Sequence, residues 1–114
     1  MSQMQVFGVD ETLNIVLLSG RLDSEHVVRL EVGLNAALSG TGKDAILDVG
    51  QVEFCGSLAI RMFLGAARVL EREGRRLVLA GAKPRVQDVF DAISLGRIIP
   101  VAPTTAEARA LLAA

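Results

Sequence analysis

Few side chains in this sequence are equipped for chemistry, and their positions narrow what that chemistry is. There is one cysteine, Cys55, and one histidine, His26. A lone thiol excludes an internal disulfide framework and any multi-thiolate zinc site, and a single imidazole serves metal ligation poorly, so no metal and no cofactor are expected. Cys55 precedes a predicted helix, where the dipole favours a thiolate; the competing reading is a small core residue. His26 falls near the start of another predicted helix, a position that suits a solvated side chain better than a general base. Asp23 and Asp48 approach one edge of the predicted sheet, but two carboxylates alone do not define a cation site. Asp23 also has the type and place of a helix cap, as has Ser24 beside it. Ser57 opens the second predicted helix, where a hydroxyl either caps the backbone or offers itself for phosphorylation.

Two catalytic motifs fall short. Ser39-Gly40-Thr41-Gly42-Lys43-Asp44 is a faint image of a phosphate-binding loop, but Ala37 holds the first glycine position and Asp44 stands where magnesium needs Ser or Thr. A nucleophile elbow around Ser57 needs glycine at positions that hold Cys55 and Ala59. No catalytic residue emerges, and the expectation is a protein that is not an enzyme.

The chain that must position these groups has 114 residues, 51% of them apolar and only 4% aromatic. That is one domain, residues 1 to 114, with a core of Leu, Val, Ile and Ala, and it excludes intrinsic disorder. Charge is balanced, 12 Lys and Arg against 13 Asp and Glu, and there is no Trp or Tyr for bases to stack on, so nucleic acid is not expected as a partner. Apolar stretches break well before the roughly 18 residues of a membrane span, and the N-terminus has no secretion-signal pattern. The expected location is cytoplasmic, with no direct membrane insertion.

Residues 5 to 9 and 13 to 19 read as a hairpin across Asp10-Glu11. From Asp23, the residues Val27, Leu30, Leu34, Ala37 and Leu38 recur at helical spacing until Gly40 to Gly42 ends the run. Ala45 to Val49 reads as a strand covered on both faces, residues 50 to 56 as a link, and Ser57 to Glu73 as a helix stopped by Gly74. Leu77 to Ala80 reads as a buried strand, and Pro84 suits the first turn of a third helix bearing Val86, Val89, Phe90 and Ile93. Ile98 to Val101 reads as a last strand. Thr104 and Glu107 have capping-box spacing for a fourth helix that buries Ala108, Leu111 and Leu112. The order β-β-α-β-α-β-α-β-α predicts an α/β domain with a mainly parallel sheet and an antiparallel N-terminal edge. Its sites are expected at the carboxyl ends of the strands, near Asp23, Ser57 and the Gly81 to Arg85 loop.

Projected at about 100° per residue, the second helix has two apolar sides. Ile60, Phe63, Leu64, Ala67 and Leu70 are assigned to the sheet. Leu58, Met62, Gly65 and Val69 lie nearly opposite, with Arg61, Arg68 and Arg72 along one flank. The second stripe reads as an exposed docking surface for another protein; the alternative is cover by the fourth helix or a terminus. Ser57 lies at its N-terminal end. A phosphate there is favoured by free N–H groups and the helix dipole, and puts about 1.5 to 2 negative charges on the rim of the patch.

Six segments carry a resemblance. They are Leu18-Ser19-Gly20-Arg21-Leu22-Asp23; Ile46-Leu47-Asp48-Val49 with Val52-Glu53-Phe54; the helix begun by Ser57; Gly74-Arg75-Arg76-Leu77-Val78-Leu79; Pro84-Arg85-Val86 to Phe90; and Leu95-Gly96-Arg97-Ile98-Ile99-Pro100-Val101. In order and spacing they resemble a STAS domain of the anti-sigma factor antagonist family, over almost all of the chain. The resemblance implies a switch that, unphosphorylated, binds an anti-sigma factor that is also a serine kinase, and so frees a sigma factor for transcription. The kinase then phosphorylates a serine at the start of the second helix and a serine phosphatase reverses this. By position that serine is Ser57, with Asp23 and Asp48 among the acidic positions near it. The partner-binding set is then Asp23, Gly56, Ser57, Leu58, Arg61, Met62, Gly65 and Val69. Where the family usually reads Asp-Ser-Ser-Gly or Asp-Ser-Ala-Gly, this chain has Gly56-Ser57-Leu58-Ala59. The missing acid points to slower phosphorylation, and raises the alternative of a STAS subunit of a membrane transport or stress-sensing complex, bound constitutively through the same helix. A homodimer through the apolar patch is left open.

Overall fold

The computed structural model describes residues 3–113. Strand β2 (Leu13–Leu22) sends Val16, Leu18 and Leu22 into one core and Leu13 and Ile15 into another, so it is covered on two faces. Strand β1 (Gln3–Gly8) pairs with it antiparallel, as the sequence predicts. Their turn is held by the Asp10 carboxylate, which accepts bonds from the Thr12 N–H and hydroxyl, both at 2.7 Å.

Strands β3 (Asp44–Cys55), β4 (Leu77–Ala80) and β5 (Val101–Ala102) follow in parallel, and the sheet order is β1-β2-β3-β4-β5. Helices α1 (Ser24–Leu38), α2 (Ser57–Arg72) and α3 (Pro84–Ala92) join successive parallel strands. Each crossover steps the same way across the sheet, and such crossovers are right-handed, so all three helices land on one face. The larger core lies beneath them and includes Leu34, Leu47, Phe63, Leu79 and Phe90. Helix α4 (Thr105–Ala113) covers the other face with Ala108 over Ile46, Val78 and Ala102. Its start is the predicted cap: Thr104 Oγ1 accepts the Glu107 N–H at 3.1 Å.

Three local expectations change. The link at residues 50 to 56 is mostly strand, because β3 continues to Cys55 beside β2. Register shifts after Asp48 and after Val52 insert extra residues into β3, which breaks the alternation by which a strand is recognised. The last strand is only Val101–Ala102; a single 3-10 turn, Leu95–Arg97, precedes it, Ile98 is exposed, and Pro100 has no N–H to give to a ladder. Helices α3 and α4 bury narrower faces than expected: Val86 and Phe90 are buried while Val89 and Ile93 are not, and Leu111 is exposed beside half-buried Leu112.

The largest change concerns α2. Its inward face is Ala59, Met62, Phe63, Ala66 and Leu70, and its outward line is Ser57, Arg61, Arg68 and Arg72. The sheet lies below it and α1 alongside, while Phe90 of α3 meets Phe63 edge to face, ring centroids 6.2 Å apart. The two apolar stripes are therefore the shoulders of one broad buried face. Met62, expected to be exposed, is 0% exposed. Leu58, Gly65 and Val69 are half-buried, and the cover comes from α1 rather than from α4 or a terminus.

Removing the Met62 side chain takes contacts from this three-sided packing. Met62→Ala is expected to cost about 2–5 kcal/mol in urea unfolding, whereas outward Arg68→Ala changes stability by about 0.5 kcal/mol or less. Equal midpoints for the two variants would show that Met62 is not core.

Candidate functional site

Strands β2 and β3 end in step. Their last paired residues are Leu22 and Cys55, and the Gly56 N–H donates to the Leu22 carbonyl at 3.1 Å. The next residues, Asp23 and Gly56, are the caps of α1 and α2. Two helix starts thus stand side by side at the carboxyl edge of the sheet, with Ser57 exposed as the first residue of α2.

Of the two cap candidates, Asp23 caps α1 and Ser24 is its first residue. Its carboxylate accepts the His26 N–H at 3.1 Å, bonds the His26 ring Nδ1 at 2.6 Å, and has the Arg21 Nε at 3.9 Å. The His26 N–H, helped by the ring and by Arg21, holds the carboxyl below the ordinary 3.8. His26 is accordingly bound to its own helix cap and is not the freely solvated side chain expected.

Gly56 caps α2 without a side chain. Its carbonyl accepts the N–H groups of Ala59 and Ile60 at 3.1 and 3.2 Å. The N–H groups of Ser57 and Leu58, before them, have no intrahelical partner. A Cβ added at Gly56 would lie 3.3 Å from Cε2 of Phe54, so an acid there requires the ring to yield by a few tenths of an ångström. Phe54 is 40% exposed, and the Arg21 guanidinium sits over it, 4.5 Å from the ring centroid. Such a stack contributes about 0.5–1 kcal/mol at an exposed site. The sequence reading missed this cation–aromatic rim. Arg21 and Phe54 are register partners across β2 and β3, a signal that exists only once β3 is known to run this far.

The remaining candidates divide. Arg61 points outward one turn from Ser57, while Leu58, Gly65 and Val69 are half-buried along the helix and Met62 is core. Asp48 is not brought to Ser57: it lies in the cross-sheet row Leu17–Asp48–Ala80, on the α4 face, and accepts the Gly50 N–H at 2.9 Å. Cys55 is 5% exposed, and burial pushes its thiol up to about 12, which settles it as a core residue. What is assembled is an exposed hydroxyl on a fixed helix start, two unpaired backbone donors and a cationic rim. Chemically, such a helix start can accommodate an anion.

Two measurements follow from this geometry. Because Asp23 titrates lower in the folded chain than in the unfolded one, its stabilisation is full above pH 3.8 and fades as pH falls through the folded value. The stability gap between wild type and Asp23→Ala should shrink on acidification from about pH 6 to about pH 2, and a constant gap would contradict the assignment. A thiol reagent at neutral pH should leave Cys55 unlabelled in the native protein and label it in urea.

The comparisons with known proteins agree with this architecture. A family model described as Mlab, STAS domain matches residues 4–100. BtrV of Bordetella bronchiseptica, which bears the name of an anti-sigma factor antagonist, is 32% identical over 88 residues, 77% of this chain and 76% of BtrV. An anti-sigma factor antagonist from Mycobacterium paratuberculosis has the same fold, with a TM-score of 0.89 at 20% identity over 100% of this chain and 96% of that one. SpoIIAA from Bacillus, solved in its phosphorylated form, aligns with a TM-score of 0.69 at 26% identity over 93% of this chain and 96% of its own. With the family model spanning both helix starts and the sheet from β1 through β4, the chain belongs to the STAS domain family.

Proposed function

We propose that this protein is an anti-sigma factor antagonist. It binds an anti-sigma factor that is also a serine kinase, releases a sigma factor, and is switched off by phosphorylation of Ser57. The observation that carries this reading is the exposed Ser57 hydroxyl at the first position of α2, beside the Asp23 cap, in a chain 32% identical to a protein named as such an antagonist. The 26% identity to SpoIIAA, whose phosphorylated form is known, supports the same reading.

In the transfer, the Ser57 oxygen bonds to the γ-phosphorus of ATP and the bond from that phosphorus to the β,γ-bridging oxygen breaks. ADP leaves, and the hydroxyl proton passes to a base of the kinase. The domain itself performs no catalysis. Its thiol is buried with its pKa pushed up to about 12, and its imidazole is engaged with Asp23. The phosphoryl group is accommodated without unfolding, because the unpaired N–H groups and positive dipole end of α2 favour an anion. It changes the local charge by about −1.5 to −2, enough to oppose a partner that docks against a neutral hydroxyl. A serine phosphatase resets the switch. The partner is a protein in the cytoplasm, and no nucleic acid or cofactor takes part.

Gly56 favours one second reading, constitutive docking as a subunit of a transport or stress-sensing assembly. In the family pattern an acid occupies this cap position, and here it is absent.

The test uses the kinase-type anti-sigma factor of the same genome and ATP, followed by intact mass. One phosphate is expected on wild type and none on Ser57→Ala. Ser57→Glu should weaken kinase binding by about tenfold or more. Gly56→Asp should be tolerated, since its backbone lies at φ −87° and ψ 178°, and should speed phosphorylation. No phosphate, together with wild-type affinity for Ser57→Glu, would leave constitutive docking in its place.

A further inference from the structure

Arg61, Arg68 and Arg72 follow Ser57 along the outward line of α2, all exposed. Among the described residues none of the three has a carboxylate at salt-bridge distance, as is also true of Arg85, Arg97 and Arg109, and the exposed Glu71 shares the end of the row with Arg68 and Arg72. Half-buried Gly65 lies along the same side, and a Cβ added there meets nothing within 4 Å, so another backbone has room to approach.

Helix α1 packs beside α2 and presents two valines outward, Val28 at 69% and Val32 at 75% exposure. Four residues apart, they form one apolar strip. Valine is a weak helix former, so at outward positions it serves neither the core nor the helix itself. Between the helices runs a cleft of about 130 Å³ lined by Val27, Val28, Glu31, Leu58 and Arg61. Apolar surface thus lies on the α1 side and a net positive charge, three arginines against Glu71, on the α2 side.

We propose that this α1–α2 ridge is the docking surface, and that its occupant is an amphipathic helix of the partner protein. The acidic residues of that helix meet Arg61, Arg68 and Arg72, and its apolar residues meet Val28 and Val32. The inference rests on the antagonist reading and specifies the chemistry of its partner. From Arg61 to Arg72 is about 17 Å of helix, so the partner segment needs about three turns. Glu31, the acid of the cleft, repels carboxylates from the α1 side and so sets which way the partner's acidic stripe faces.

The placement also gives the switch a mechanism. Ser57 heads the arginine row, one turn from Arg61. A phosphate on Ser57 pairs with Arg61, removing the first cation from the row and setting a dianion against the partner's acids. Release then requires no change of fold.

Binding of the purified kinase-type anti-sigma factor of the same genome is measured by calorimetry at low and high salt, with melting curves for every variant. Arg68→Glu and Val32→Asp should each weaken binding by about tenfold or more at unchanged melting midpoints, and wild-type affinity should fall as salt rises. Arg109→Glu, on α4 across the sheet, should bind as wild type. Wild-type affinity for Arg68→Glu and Val32→Asp, or an equal loss for Arg109→Glu, overturns the ridge while leaving the antagonist reading in place. Failure of the wild type itself to bind overturns both.

Discussion

The whole arrangement depends on two parallel strands that end at the same level. Because Leu22 and Cys55 close the β2–β3 ladder together, the residues after them start two helices in adjacent positions, and the Gly56 N–H to Leu22 carbonyl bond ties the two exits. Had either strand run a residue further, the cap of one helix would face the side of the other. The two register shifts in β3 make this coincidence achievable. They take up extra residues between Asp48 and Cys55, so a strand of 12 residues ends beside one of 10.

Helix α2 is fixed more tightly than a surface helix requires. The sheet, α1 and the Phe63–Phe90 contact hold it from three directions, and the line from Ser57 through Arg61 and Arg68 to Arg72, with Glu71 beside it, is left to solvent. A group carried on so constrained a helix has its backbone already ordered before anything binds it. The same packing leaves mostly charged residues on the outward side of α2, because its own apolar ones are committed to the fold.

Much of this was legible in the sequence, and the failures have physical causes. The order of elements, the Asp23 and Thr104 caps and the start of α2 follow from local rules, because capping and periodicity act within one turn. The facing of α2 does not. A helical projection gives the angle between Met62 and Phe63 but says nothing of a second helix lying alongside, and a broad buried face looks like two narrow ones. The far half of β3 was hidden by Gly50 and by its broken alternation, and with it the pairing of Arg21 with Phe54. Val28 and Val32 drew no notice because their neighbours Val27, Leu30 and Leu34 satisfy the core spacing without them.

The sheet order matches the chain order from β1 to β5. Each strand therefore finds its neighbour already made, one crossover earlier, and no strand waits for a later one to be inserted between existing partners. Each parallel pair is nonetheless separated by a whole crossover helix, as Leu17 is from Asp48 and Leu47 from Leu79, so these contacts are long in sequence and each waits for its helix to form. A chain built this way is suited to assembling in the direction of its synthesis, with β1, β2, α1 and β3 able to form a sheet and half a core while α4 is still on the ribosome.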